Sequence, residues 1–289
     1  MPVSVPLYAD VSSFQGVIDW SAYAAWAASF DGVSRIAMKS SEGVGFTDPR
    51  FYGYRQEALA AGIDRIIFYH YGKPGLGNSP ISEANWQARV CGPVRASDVL
   101  MLDYEEDVRE ATADWAYHWL VQQQRNYDKH PTIYASDDYV RTRLQDARLA
   151  SFPLTLANWQ FTPNERPACP PPWKLYRYLQ YTDRATVPGI PGDVDADIFL
   201  GGDMSNPGAD PAFLLSYWSS SSTLLGGVPD FTTGIAAAWK HDVAQDLWRG
   251  APMMHEGVIT WKGKDVAWQR FEGGFYTWEN NVPFWHSNS

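Results

Sequence analysis

The chain has 289 residues, 45% of them apolar and 19% charged, which supports a sizeable core and argues against wholesale disorder. At roughly 150 residues per domain this is one large domain, or one medium and one small. Asp plus Glu (33) exceed Lys plus Arg (23), for a net charge of -10. That balance argues against nucleic-acid binding and against a polybasic membrane-surface protein. No apolar run approaches the roughly 18 residues of a membrane-spanning helix, so no membrane insertion is expected. The opening, Met1 to Leu7, lacks the basic and apolar regions of a signal peptide. The expectation is a chain that stays inside, is released by another route, or has had a leader removed. Two cysteines, Cys91 and Cys169, allow one bridge or two buried thiols, not a disulfide framework. The 14 Trp, 16 Tyr and 13 Phe suit either stacking on sugar rings or an aromatic core.

In chain order, short β-branched or aromatic runs bounded by Gly, Pro, Asp or Ser predict strands at 6–11, 35–39, 66–71, 99–104, 132–135, 154–158, 177–181 and 196–200. Amphipathic stretches predict helices at 20–30, 49–61, 80–90, 111–127 and 138–147. Asp48-Pro49 reads as an N-cap with proline at the first helical position, and Ala61-Gly62 as the matching stop. Alternating strands and helices predict an α/β fold, an irregular (β/α) barrel of the TIM type with few helices late in the chain.

Composition changes after about Gly202. Residues 203–234 are rich in Gly, Pro and Ser and read as a linker. A short helix is expected at 235–249, then a small β-rich region, a three-stranded meander. There Gly257-Val258-Ile259-Thr260-Trp261 is echoed by Gly274-Phe275-Tyr276-Thr277-Trp278, and Gly273-Gly274 signals a hairpin. The expected division is a barrel at 1–205, a connection at 206–234, and a helix plus meander at 235–289.

The six histidines lack metal-ligand spacing, and there is no GxSxG elbow, P-loop or GxGxxG, so no metal or other cofactor is expected. Carboxylates remain. Asp10 ends the first strand, Asp103 and Glu105 end the fourth, and Asp195 lies just before the last. In a parallel barrel the carboxyl ends of the strands build the active face. Asp103 and Glu105, two apart in extended chain, point to one side with Cα atoms roughly 6.6 Å apart. Such a pair could flank a glycosidic bond, repulsion keeping one carboxyl protonated. A solvated loop with helix-N-terminal charge would look the same, so spacing alone leaves both readings open.

Six segments in series resemble one family. They are Tyr8-Ala9-Asp10-Val11-Ser12-Ser13-Phe14-Gln15-Gly16-Val17-Ile18-Asp19-Trp20 (DxSxxQGxIDW), and Lys39-Ser40-Ser41-Glu42-Gly43 with Phe46-Thr47-Asp48-Pro49-Arg50-Phe51. They continue with Ala61-Gly62-Ile63 leading into Phe68-Tyr69-His70-Tyr71, Leu102-Asp103-Tyr104-Glu105, Pro131-Thr132-Ile133-Tyr134-Ala135-Ser136, and Gln180-Tyr181-Thr182 with Val187-Pro188-Gly189-Ile190 through Asp195. Over about residues 7–201 the chain is similar to glycoside hydrolase family 25, the Chalaropsis-type muramidases, a group that includes phage endolysins. Leu179, Thr155, Trp159 and Asp197 depart from the usual Trp, Trp, Tyr and Asn, which bears on subsite preference.

The resemblance implies a peptidoglycan hydrolase that cuts the β-1,4 bond between N-acetylmuramic acid and N-acetylglucosamine. It implies Glu105 as general acid, Asp103 as stabiliser at C1 or through the 2-acetamido group, and Asp10 and Asp195 completing an acidic cleft. Asp10 could instead serve a turn with Ser12 or Ser13. Tyr69, Tyr134, Trp159 and Tyr181 are candidate sugar contacts; Glu42 and Gln15 read as structural supports. The implied partner is the glycan strand of the bacterial cell wall, reached as a phage endolysin or after loss of a leader, and a monomer is expected because an open cleft must reach a polymer. The C-terminal region could bind the wall or simply pack as a β-rich extension; acidic residues outnumber basic ones over 206–289, so it is no cationic tether. The competing functional reading is a catalytically silent peptidoglycan-binding protein on the same fold.

Overall fold

In the barrel strands, side chains alternate between an apolar outer face and a polar or aromatic inner one, and that alternation organises the molecule. The computed structural model describes residues 6–200 and four strands between residues 257 and 287. The chain divides into two compact units, Met1–Leu200 and Gly201–Ser289.

In the first unit, β1 (Leu7–Val11), β2 (Arg35–Glu42), β4 (Arg65–Tyr71), β5 (Val99–Asp103), β6 (Thr132–Ser136), β7 (Leu154–Ala157), β8 (Tyr178–Ala185) and β9 (Val194–Phe199) form a barrel. Their order is β1-β9-β8-β7-β6-β5-β4-β2, and β2 pairs back onto β1 to close it. A two-residue strand, β3 (Phe46–Thr47), sits outside on the end of β2 as a hairpin that the sequence pattern does not reveal. The eight predicted strands are therefore the eight barrel strands, with shifted ends.

One feature departs from a purely parallel barrel. β9 is antiparallel to both β8 and β1. The link from β8 to β9, residues 186–193, is too short for the crossover that a parallel neighbour needs, so the chain turns back as a hairpin. β9 also begins two residues earlier than predicted. Asp195 therefore lies inside it, not before it.

Helices α1 (Trp20–Ala28), α2 (Phe51–Ala60), α3 (Pro80–Cys91), α4 (Ala113–Tyr127) and α5 (Asp137–Arg143) pack outside. Their starts are set by caps: Asp19 accepts from Ser21 and Ala22, Ser79 from Ser82 with Pro80 at the first helical position, and Thr112 from Trp115. The helix predicted at 138–147 ends early, and a separate 3-10 turn takes residues Ala147–Ser151. Asp48 does not cap α2 directly. Its buried carboxylate accepts from Arg50 and Ser13 backbone N–H groups (2.9 and 3.1 Å), tying the loop after β1 to the loop after β2.

The core lies between barrel and helices, in two clusters. Val11, Ile36, Met38, Ile66 and Phe68 pack with α1 and α2, while Leu102, Ile133, Leu154, Leu156 and Leu179 pack with α4 and α5. Gly189 shows how tightly α1 is held: its carbonyl accepts from Asp19 N at 2.8 Å, and a Cβ there would lie 2.3 Å from the Asp19 carbonyl oxygen. Inside the barrel, Arg35 and Arg65 lie against the Phe199 ring near the amino ends of β2 and β4. Tyr178 contacts both Phe199 and Tyr8, so aromatic rings fill the middle and leave the carboxyl ends to acidic residues. Cys91 is buried, Cys169 is half-buried, and both are free thiols.

The second unit contains β10 (Gly257–Trp261), β11 (Lys264–Phe271), β12 (Gly274–Glu279) and β13 (Val282–Ser287), an antiparallel meander in that order. Its described residues form four strands, not the three expected. β13 contains Pro283 and is an edge strand, where a missing N–H is tolerated. The hairpin at Gly274 is present, with Phe271 opposite Gly274. The expected linker at 203–234 and helix at 235–249 lie outside the described residues.

Candidate active site

The carboxyl ends of β1 and β5 and the amino end of antiparallel β9 bring all four predicted acidic residues to one end of the barrel. Asp10 on β1 stands directly opposite Asp195 on β9 in the antiparallel register. Asp103 is the last residue of β5, paired with Tyr71 on one side and Tyr134 on the other. The chain stays extended past it, because Tyr104 N donates to the Tyr134 carbonyl (3.0 Å). Tyr104 is buried outside the barrel and stacked on Trp115 at 5.3 Å, so Asp103 and Glu105 take the opposite side. β5 and β9 lie four strands apart round an eight-stranded barrel, so Glu105 and Asp195 rise from opposite walls. The turn reading for Asp10 is not realised: Ser12 forms a capping box with Gln15, and Asp48 takes Ser13 N.

Burial and mutual repulsion favour protons on these groups. Asp103 is raised well above the usual carboxylate range, by burial and then by Glu105 and Asp10. Asp10 is raised by burial and by Asp195, partly offset by the Tyr69 phenol within hydrogen-bonding reach. Glu105, exposed at its outer side, is raised by burial of its carboxyl and by Asp195. Asp195 is pushed up to about 6, by burial and by Asp183. Lys39 opposes these shifts at Asp10, Asp103 and Glu105.

The predicted aromatics separate into three kinds. Tyr69 and Tyr134 are nearly buried and face the acids. Trp159, just past β7, is 55% exposed and presents an open ring. Tyr181 packs half-buried against the α4/α5 cluster and, among the clustered acids, senses Asp197 alone. It is the one candidate not brought into the cleft wall.

Several residues that the sequence reading did not assign to the site belong to it. Asp197 is buried beside Asp10 and Asp195 and raised well above the usual range by burial first. Lys39 is held by Glu42 at 2.7 Å and faces the Tyr71 ring. Gln180 Oε1 accepts from both Tyr134 Oη (2.9 Å) and Trp159 Nε1 (3.0 Å), fixing one ring in the wall and one on the rim. Glu106 pairs with Lys73 at 2.6 Å and accepts from Gly75 N at 2.8 Å, pinning the loop that carries Glu105. For Lys39, Gln180 and Asp197 the signal is a polar residue at every second position within a strand; Glu106 lies in the loop after β5. Among the described residues no three His, Cys, Asp or Glu side chains are grouped to hold a metal ion.

The Asp195 shift gives a pH prediction. An unfolded Asp titrates near about 3.9. Between that value and about 6 the folded chain binds the extra proton, so Asp195 contributes stability at low pH that is lost as pH rises through this window. Asp195→Asn should flatten the fall in melting temperature across it. The same substitution removes a charge that holds the Glu105 proton, so the alkaline limb of activity should move to lower pH. Melting curves and pH–rate profiles of the two proteins check both.

Converging carboxyls at one end of a closed barrel, their proton affinities raised by burial and walled by aromatic rings, have the make-up that glycoside cleavage requires. The chain belongs to glycosyl hydrolases family 25, whose model matches residues 9–190, and it is a glycoside hydrolase. It is 25% identical over 205 residues to lysozyme M1 of Streptomyces globisporus, covering 66% of this chain and 67% of that one. Its fold is similar to the crystal structure of the bacterial lysozyme from Streptomyces coelicolor (TM-score 0.61, 24% identity, 69% of this chain and 94% of that one). It is also similar in fold to the catalytic domain of the endolysin ply40 from bacteriophage P40 of Listeria monocytogenes (TM-score 0.54, 22% identity, 68% and 93%).

Proposed function

We propose that this protein is a peptidoglycan hydrolase, an N-acetylmuramidase that cuts the β-1,4 bond between N-acetylmuramic acid and N-acetylglucosamine. Family membership and the lysozyme relative support the substrate class. The observation that carries the chemistry is Glu105: an accessible carboxyl whose proton affinity burial and Asp195 raise above the usual range, two residues from a second carboxyl.

Glu105 gives its proton to the glycosidic oxygen as the C1–O bond breaks. Positive charge then develops at C1, where Asp103 and its acidic neighbours stabilise it. Asp103 Oδ1 is buried without a hydrogen-bond partner, and a buried acceptor left open is costly. It accepts the 2-acetamido N–H of the bound sugar or meets C1 directly. Water adds to C1 and its proton returns to Glu105. Asp195, standing opposite Asp10, favours the proton on Glu105, and Lys39 opposes it. Tyr69, Tyr134 and Trp159 hold the sugars, while Tyr181 acts through packing.

In this reading residues 1–205 are the catalytic barrel and 235–289 a wall-binding module, the latter supported by the recurring G-x-x-T-W pattern on β10 and β12. The enzyme works on the bacterial cell wall as a monomer. Digestion of purified peptidoglycan, with new reducing ends identified by mass spectrometry, tests the bond assignment. Muramic-acid ends are expected; glucosamine ends would overturn it.

A further inference from the structure

Phe14 is 91% exposed, an unusual state for a phenylalanine on a well-braced turn. The brace is extensive. Ser12 and Gln15 close a capping box around it, Ser13 N donates to buried Asp48, and the Tyr54 hydroxyl donates to the Gly16 carbonyl. Asp48 N in turn donates to the Ser40 carbonyl of β2 at 3.0 Å. The same tie brings in the β2–β3 hairpin, whose Phe46 is 47% exposed and whose Phe46 carbonyl accepts from Trp86 Nε1 at 2.9 Å. The two rings thus stand on loops after β1 and β2, fixed to each other through Asp48. Phe46 also borders the cleft itself, since Lys39 Nζ lies 5.9 Å from its ring centroid and Lys39 acts on three of the acids.

Position round the barrel gives these rings their meaning. β2 lies four strands from β7, which carries Trp159, and β1 lies four strands from β6, which carries Tyr134. Glu105 after β5 and Asp195 on β9 occupy the other diameter. The line from exposed Trp159 to Phe46 therefore crosses the line from Glu105 to Asp195, and Asp10 lies on β1 ahead of the Phe14 loop.

We infer that Phe46 and Phe14 form a distal sugar-stacking subsite for the glycan strand, which runs along the β2–β7 diameter from Trp159 to the two phenylalanines and crosses between Glu105 and Asp195. The inference rests on the muramidase reading and extends it from the scissile bond to the path of the polymer. Ring faces suit the apolar faces of sugars, and a continuous strand cut at the crossing must leave the cleft at both ends of this line. Rigid loops keep the rings exposed without a cost at the moment of binding.

The test uses the full chain and glycan oligosaccharides of defined length, from tetrasaccharide to octasaccharide, labelled at one end. For the wild type, kcat/KM should rise with length. Phe14→Ala/Phe46→Ala should lose about fivefold to tenfold on the octasaccharide through KM, so that the rise with length collapses. Because the two aromatic groups hold opposite arms of the strand, this variant and Trp159→Ala should move the preferred cut in opposite directions along the octasaccharide. Leu59→Ala, an exposed residue on α2, is the control for loss of surface apolar area. A wild-type dependence on length in the double variant, or a cut position unmoved or moved the same way as in Trp159→Ala, would overturn the subsite. Failure of the wild type to cut any of these glycans would instead bring down the muramidase reading and the subsite together.

Discussion

Glu105→Gln is expected to lower glycan cleavage by about a thousandfold while leaving the protein folded and able to hold the glycan. General-acid catalysis contributes roughly 10²- to 10⁴-fold. A sugar hydroxyl leaves poorly without a proton, so the loss should lie well inside that range. The substitution removes a proton donor and little else: Glu105 is exposed and lies outside the core clusters. Its loop is pinned independently by the Lys73–Glu106 pair and by the Tyr139 hydroxyl, which donates to the Glu106 carbonyl at 2.9 Å. The melting temperature should therefore stay within a degree or two, and turnover with KM measured separately should place the loss in kcat.

The second large effect belongs to Asp103. Asp103→Asn keeps the size of the side chain and removes its charge, and should cost about 10²- to 10³-fold in kcat, the scale of losing one electrostatic partner of the transition state. Its physical signature should differ from that of Glu105→Gln. Asp103 is raised strongly by burial, so its ionised form is costly in the free enzyme. Asparagine removes that cost, and the variant should be as stable as the wild type or more so at neutral pH, where folding of the wild type must either bury the charge or take up a proton. Denaturant unfolding near pH 7 and initial rates on the same preparation separate the two effects. A variant both inactive and destabilised would mean that Asp103 holds the fold and not the reaction.

Much of this site is legible in the sequence, for reasons that particular residues show. Asp10, Asp103 and Glu105 stand where an apolar run stops, and in a barrel of mostly parallel strands such stops fall at the active end. Eight strands are legible because each is a short run of β-branched and aromatic residues closed by Gly, Pro, Asp or Ser. The direction of β9 is not, since direction depends on whether residues 186–193 cross the barrel or turn back. β3 has only two residues, too few for a period. β13 contains Pro283, which is tolerated only because that strand is an edge.

Lys39, Gln180 and Asp197 were harder to assign, because a charged or amide side chain within a strand usually faces water. Here the outer face is covered by helices, so the second position of each alternating pair faces a polar interior. Tyr8-x-Asp10, Ala37-x-Lys39 and Asp195-x-Asp197 carry that signal once the barrel is closed. The aromatic departures follow the same division. Leu179 and Thr155 are buried and absorbed into packing, whereas Trp159 stands on the rim with its indole N–H fixed by Gln180.

The most direct test of the central claim, that Glu105 delivers the proton to the leaving oxygen, compares two substrates that differ only in how much they need that proton. One is a muramyl glycan with a natural sugar leaving group, and the other is the same glycone carrying an aryl leaving group that departs as a stable anion. The rate loss in Glu105→Gln should be about a thousandfold on the first and should shrink by at least about tenfold on the second. An equal loss on both substrates would contradict the assignment and place Glu105 outside the proton-transfer step.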